Sequence, residues 1–206
     1  QGVGPHTISV PRIRPADDID PDTFSNGVSD EIFEKIVAVL RIAVPYTGMI
    51  VSTRESKKTR EKVLNLGISQ ISGGSKTSVG GYYEPENEDE NSAQFDVSDT
   101  RTLDQVIKWL LDLGYIPSFC TACYREGRTG DRFMSLAKAG NICNCCLPNA
   151  LLTLAEYSFD YGDDEFKRLA LKVIDEQTDN IKNPAANAKF REYYEKIRNG
   201  ERDFRF

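Results

Sequence analysis

Several things are scarce in this sequence. No apolar run approaches the roughly 20 residues needed to cross a bilayer, and no secretory leader is visible. No basic stretch with interleaved aromatics occurs, and the net charge of −6 argues against a nucleic-acid surface. These absences predict a cytoplasmic chain with neither membrane nor nucleic-acid partners. Histidine occurs once, at His6, and no cysteine lies outside the interval 120–146. Five clustered cysteines, an odd number without secretory features, favour metal binding or redox chemistry over a disulfide framework. What is present is ordinary for a globular protein: 39% hydrophobic and 28% charged residues, enough for a real core.

The pattern along the chain begins with a short strand, His6 to Val10, stopped by Pro11. So abrupt a start after Gln1 predicts a fragment. A Pro- and Asp-rich loop leads to a helix opened by Ser29 or Asp30, with Ile32, Phe33, Ile36, Val37, Val39 and Leu40 at helical spacing and Pro45 at its end. A second strand is expected over Gly48 to Thr53, a charged helix over Arg54 to Leu66 closed by Gly67, and a third strand over Ile68 to Ile71. Strand, helix, strand, helix, strand with short connections implies a parallel sheet covered by helices. Three strands cannot close a barrel, so they fit the last part of a βα barrel. A Gly/Ser loop, Ser72 to Gly81, and an acidic turn, Glu84 to Asn91, set the expected boundary: 1–92 as the barrel part and 93–206 as a mainly helical domain. Helices are expected over Thr102 to Leu113, Asn149 to Tyr157, Asp164 to Asp175 and Ala185 to Ile197.

The cysteines lie in Cys120-Thr-Ala-Cys123-Tyr-Arg-Glu-Gly-Arg-Thr-Gly-Asp-Arg-Phe-Met134 and in Asn141-Ile-Cys143-Asn-Cys145-Cys146-Leu-Pro-Asn-Ala150. Two thiolates of a Cys-x-x-Cys pair converge on one metal centre from a single turn, and a third from a distant loop fixes it. Zinc competes: a structural site needs four ligands, and with no histidine nearby Cys143 or Cys145 would complete a four-cysteine set. A thioredoxin-like reading is weaker, because the pair does not stand between a strand and a helix in that order. Spacing alone leaves iron–sulfur and zinc balanced.

The flanking residues break that balance by likeness. The Cys120–Met134 segment with Cys146-Leu-Pro-Asn-Ala150 resembles the C-terminal cluster motif of the radical-SAM tyrosine lyases of di-iron hydrogenase maturation. So do Gly4-Pro-His-Thr-Ile-Ser-Val-Pro-Arg-Ile-Arg-Pro-Ala16 and Ile71-Ser-Gly-Gly-Ser-Lys-Thr-Ser-Val-Gly-Gly-Tyr82. The resemblance implies that Cys120, Cys123 and Cys146 hold an auxiliary 4Fe-4S cluster, 22 residues intervening between Cys123 and Cys146. Cys143 and Cys145 are then ordinary thiols. It further implies that the iron without a protein ligand carries a labile additional iron, ligated by His6, which receives carbon monoxide and cyanide. The complete enzyme would use S-adenosylmethionine and a second 4Fe-4S cluster to cleave tyrosine into p-cresol and dehydroglycine, and would work with other hydrogenase maturation proteins. The Cys-x3-Cys-x2-Cys motif of that second cluster is absent from these 206 residues, so they are expected to be inactive alone. A related alternative, the thiamine-pathway tyrosine lyase, lacks the C-terminal cluster motif as a family. A zinc-stabilised binding module without catalysis is the alternative from another class.

His6 begins its strand, whereas Arg12 and Arg14 follow its far end, roughly five residues at about 3.3 Å each away. Barrel enzymes carry substrate chemistry at the C-terminal ends of their strands. There Arg12, Arg14 and Arg54 could clamp the carboxylate of tyrosine or of S-adenosylmethionine, with Ser72 and Ser75 after the third strand. The plain alternative is a surface ion pair to the acidic loop Asp17 to Asp22.

Overall fold

The computed structural model describes residues 5–16, 19–83 and 93–206. The chain forms two compact units, Gln1–Leu103 and Asp104–Phe206. The expected boundary at residue 92 and the acidic turn Glu84 to Asn91 lie outside the described residues, as does Asp17. Among the described residues, no helix is long and apolar enough to cross a membrane.

The first unit is a small α/β layer. Strands β1 (Thr7–Ser9), β2 (Gly48–Val51) and β3 (Gln70–Ile71) pair in parallel in that order, with Ile8 opposite Met49 and Val51 opposite Ile71. Helix α1 (Asp30–Ala43) links the first two strands and α2 (Lys57–Asn65) the last two. Ser29 caps α1, its Oγ accepting from Ile32 N–H, and Ser56 caps α2 through Thr59 N–H. The second helix starts three residues later than expected because Arg54 and Glu55 turn with Ser52, whose carbonyl accepts from Glu55 N–H at 3.2 Å. Met49, Val51, Val63, Leu64, Ile68, Phe33 and Val37 are buried. The expected apolar face of α1 is only partly covered. Ile32, Ile36 and Val39 are exposed, as is Ile42, so α1 is apolar on a second side as well.

Inside this unit two arginine networks carry buried charge. Arg60, fully buried, pairs with Asp99 and donates to the Ser72 carbonyl, while Arg101 also binds Asp99. Arg12 and Arg14 both bind the buried carboxylate of Glu55, and Arg12 also reaches Asp30.

The second unit is all-helical. Helix α3 (Leu103–Asp112) leads through α4 (Ala122–Arg125) and α5 (Gly130–Lys138) to α6 (Cys143–Tyr161), α7 (Asp164–Thr178) and α8 (Pro184–Arg198). Its core joins Ile107 and Leu111 with Leu151, Leu152, Leu154, Phe166, Ile174, Phe190 and Ile197. The main departure from expectation is α6, which begins six residues early and contains Pro148. Proline lacks the N–H for the Asn144 carbonyl, so the sequence reads as a helix starting after it. Burial of Pro148, Asn149 and the Leu151–Leu152 pair holds the helix continuous through the proline.

Candidate metal centre

The Cys120–Cys123 pair sits on one short helical turn. Cys120 N–H donates to Ser118 Oγ at 3.2 Å, and Ala122 N–H reaches Cys120 Sγ at 3.4 Å, which turns the chain into α4. The turn ends in a Schellman motif: Arg128 N–H donates to the Cys123 carbonyl at 2.7 Å and Gly127 N–H to that of Tyr124 at 3.3 Å. Gly127 lies at φ +63°, where a side chain is strained, so glycine suits this position. This closure brings Arg128 back beside Cys123.

The other three cysteines lie on the first turn of α6, not on a loop as expected. Cys143 turns its thiol to the Gly140 carbonyl at 2.8 Å. Cys145 Sγ has Arg128 Nη1 at 4.0 Å. Cys146 lies within electrostatic reach of Cys120 and Cys123. Its thiol is pushed up to about 11, first by burial and then by the thiolates of Cys123, Cys120 and Cys145, with Arg128 opposing. Cys146 is nevertheless exposed to solvent. Among the described residues, no three His, Cys, Asp or Glu side chains stand close enough to share one metal ion. A single zinc ion with Zn–S near 2.3 Å needs its sulfurs within about 4 Å of one another.

The segment is held from one side by residues 202–206. Asp203 pairs bidentately with Arg125, Arg205 binds Glu126 at 2.8 Å, and Asp203 N–H donates to Glu156. Asn149, buried on α6, accepts from Phe206 N–H at 2.9 Å, and Arg128 donates to the Phe206 carbonyl. Phe204 and Phe206 pack on Tyr193 of α8. Arg128 is left with a buried Nε that has no hydrogen-bond partner, as is Arg14 in the first unit. Helices α4, α5 and α6 have no side-chain N-cap, whereas α1, α2, α7 and α8 do. Clustered cysteine sulfurs beside a cationic donor suit a thiolate-held cluster. The three soft donors Cys120, Cys123 and Cys146 suit iron and sulfide.

The remaining candidates belong to the first unit. His6 is exposed at the N-terminal end of β1, its Nδ1 3.1 Å from Thr7 Oγ1. Arg12 and Arg14 follow the other end of that strand, where they meet Glu55; Asp17 and Asp18 of the acidic loop lie outside the described residues. In that loop Asp20 caps a short 3-10 turn, Pro21–Thr23. Arg54 lies over the Phe95 ring at 3.8 Å and, with Ser75, Lys76 and Tyr82, lines a cleft of about 560 Å³ beyond the C-terminal ends of β1 and β2. Ser72 gives its carbonyl to Arg60 and does not line that cleft.

Glu55, Arg128 and the 202–206 segment escaped the sequence reading. Glu55 was signalled only by adjacency to Arg54. Arg128 was signalled by the Gly-Arg step four residues after Cys123, which is where a Schellman closure puts it.

No curated protein sequence matches the chain. A solved structure, described as HydG, a maturase of the FeFe-hydrogenase, matches at 53% identity and a TM-score of 0.93, covering 100% of this chain and 44% of that one. The FeFe-hydrogenase maturase HydG from Carboxydothermus hydrogenoformans matches at 35% identity and a TM-score of 0.68, covering 93% and 40%. The chain therefore spans less than half the length of the solved structures it matches. The Biotin and Thiamin Synthesis associated domain matches residues 9–116. The chain belongs to that domain family, in the form carried by the C-terminal portion of the FeFe-hydrogenase maturase HydG.

Proposed function

We propose that this chain is the auxiliary-cluster part of a radical-SAM enzyme that cleaves tyrosine and assembles an iron–carbonyl–cyanide unit for hydrogenase maturation. What supports the reading is the likeness to HydG over the whole chain, together with the electrostatic reach of Cys146, at the start of α6, to Cys120 and Cys123 across 22 intervening residues. Cys120, Cys123 and Cys146 would hold the cluster, and His6 the additional labile iron. Bound there, a four-iron cluster with only three thiolates supplies an open coordination position for exogenous ligands. The chain's own contribution is to fix three sulfurs on two rigid turns and to keep a positive charge beside them.

The first unit reads as the last βα units of the barrel. The exposed stripe Ile32, Ile36, Val39 and Ile42 on α1 supports this, since a helix apolar on two sides needs a second neighbour. Preceding βα units would cover it. Of the three arginines, Arg54 is the best placed to bind the carboxylate of tyrosine or S-adenosylmethionine, with Ser75 nearby. Arg12 and Arg14 already share Glu55 and would shape the site indirectly. Tyrosine cleavage needs the radical cluster that these 206 residues do not supply, so the chain alone would release no p-cresol.

Anaerobic preparation followed by metal and acid-labile sulfide analysis tests the reading. Iron and sulfide in near-equal amounts are expected. Zinc without sulfide would replace it with a zinc-stabilised module.

A further inference from the structure

The contacts of Arg128 extend beyond ligand spacing. Its main chain is pinned to Cys123 by the 2.7 Å hydrogen bond that closes α4. Its Nη1 points towards Cys145 Sγ at 4.0 Å and its Nη2 is held by the Phe206 carbonyl. Its Nε is buried without a partner. A guanidinium so placed keeps one buried donor without a hydrogen-bond acceptor. Leaving such a donor buried is costly unless something accepts from it. The segment that fixes it is itself tied down at Asp203, Arg205 and Phe206, by Arg125, Glu126 and Asn149.

We infer that Arg128 is a charge-setting donor to the sulfur atoms of the bound cluster, and that residues 202–206 are the strap that holds it there. This rests on the cluster reading above. The physical role follows from charge. Three thiolates around a four-iron, four-sulfide core leave the site anionic, and each added electron makes it more so. A fixed cation and an N–H donor to sulfur stabilise the reduced state over the oxidised one and so raise the reduction potential. Arginine suits this task because it remains charged and presents several donors in a fixed plane. The contact to Cys145 gives that thiol a part as well: it fills the space beside the guanidinium without being a ligand.

The test uses the full chain, reconstituted anaerobically with iron and sulfide. The potential of the cluster is followed by a redox titration read by electron paramagnetic resonance. Arg128→Gln is expected to keep the iron and sulfide content and to shift the potential to more negative values. Arg128→Lys, which keeps the charge but not the planar donors, is expected to fall between the two. The double change Asp203→Asn, Arg205→Gln, which loosens the strap, is expected to shift the potential in the same direction by less. Equal potentials in the wild type and Arg128→Gln, both fully loaded, would overturn the inference and leave the cluster reading intact. Absence of iron and sulfide from the wild type would overturn both. If Arg128→Gln loads no cluster, Arg128→Lys decides: loading restored by lysine supports the charge role, and loading not restored refutes it.

Discussion

Arg60 and Arg128 are two arginines with buried nitrogen atoms in two separate units, and their surroundings differ in kind. Arg60 lies on α2 with the Asp99 carboxylate against it, and Arg101 shares that carboxylate. Arg12 and Arg14 are matched by Glu55 in the same way. In the second unit Arg128 has a carbonyl and a thiol for company, and a buried Nε with nothing to donate to. The first unit pairs its buried arginines with carboxylates, although the Nε of Arg14 is also buried without a hydrogen-bond partner. The second holds a positive charge and four neighbouring thiols in an arrangement that makes sense around an anion. Capping follows the same division. Helices away from the cysteines are closed by Ser29, Ser56, Asp163 and Asn183, while those around the cysteines have no side-chain cap.

The largest stability effect should come from breaking the complete network. Asp99→Ala leaves Arg60 buried without its carboxylate, which typically costs about 3–5 kcal/mol. A urea melt of the variant checks this, and a loss below about 1 kcal/mol would show that the pair is not closed off from water. Acid should act on the same group. Burial alone pushes the Asp99 carboxyl up, but the hydrogen bond from Arg101 and the charges of Arg60 and Arg101 together outweigh it and hold the group below the usual carboxylate range. A depressed folded-state value means that its stabilisation is complete above the unfolded value near 4 and is lost as pH falls through the folded one. The urea midpoint should therefore fall below pH 4, and Asp99→Ala should flatten that part of the profile.

A smaller effect is expected where the cysteine turn closes. Gly127→Ala forces a side chain into the left-handed region and should destabilise by about 1 kcal/mol. Its consequence for the site should exceed its consequence for the fold, because the same turn aims Arg128. Cluster content measured beside the thermal midpoint separates the two. Unchanged cluster content with a lowered midpoint would show that the turn matters only for packing.

Much of the frame could be read from residue spacing. The order of strands and helices with short connections led to the parallel sheet, and the first cap was narrowed to Ser29 or Asp30, of which Ser29 caps the helix. The start of α6 could not be read, because Pro148 breaks the local rule and only tertiary burial of Leu151 and Leu152 overrides it. The second apolar side of α1 was equally hidden, since periodicity records which residues are apolar and not what covers them. At the site, the three cysteines were picked out by likeness to a family motif, and their spacing alone left zinc and iron–sulfur balanced. Glu55 and the 202–206 strap depend on contacts between residues far apart in sequence: 41 positions for Arg14 with Glu55 and 78 for Arg125 with Asp203. No local pattern carries such information.

The central claim is that Cys120, Cys123 and Cys146, and not Cys143 or Cys145, hold a cluster. Single Cys→Ser changes at all five positions, each reconstituted anaerobically and assayed for iron and acid-labile sulfide per chain, test it most directly. Changes at 120, 123 and 146 are expected to lose the cluster, while those at 143 and 145 keep it. A full complement of iron and sulfide in Cys146→Ser would contradict the account.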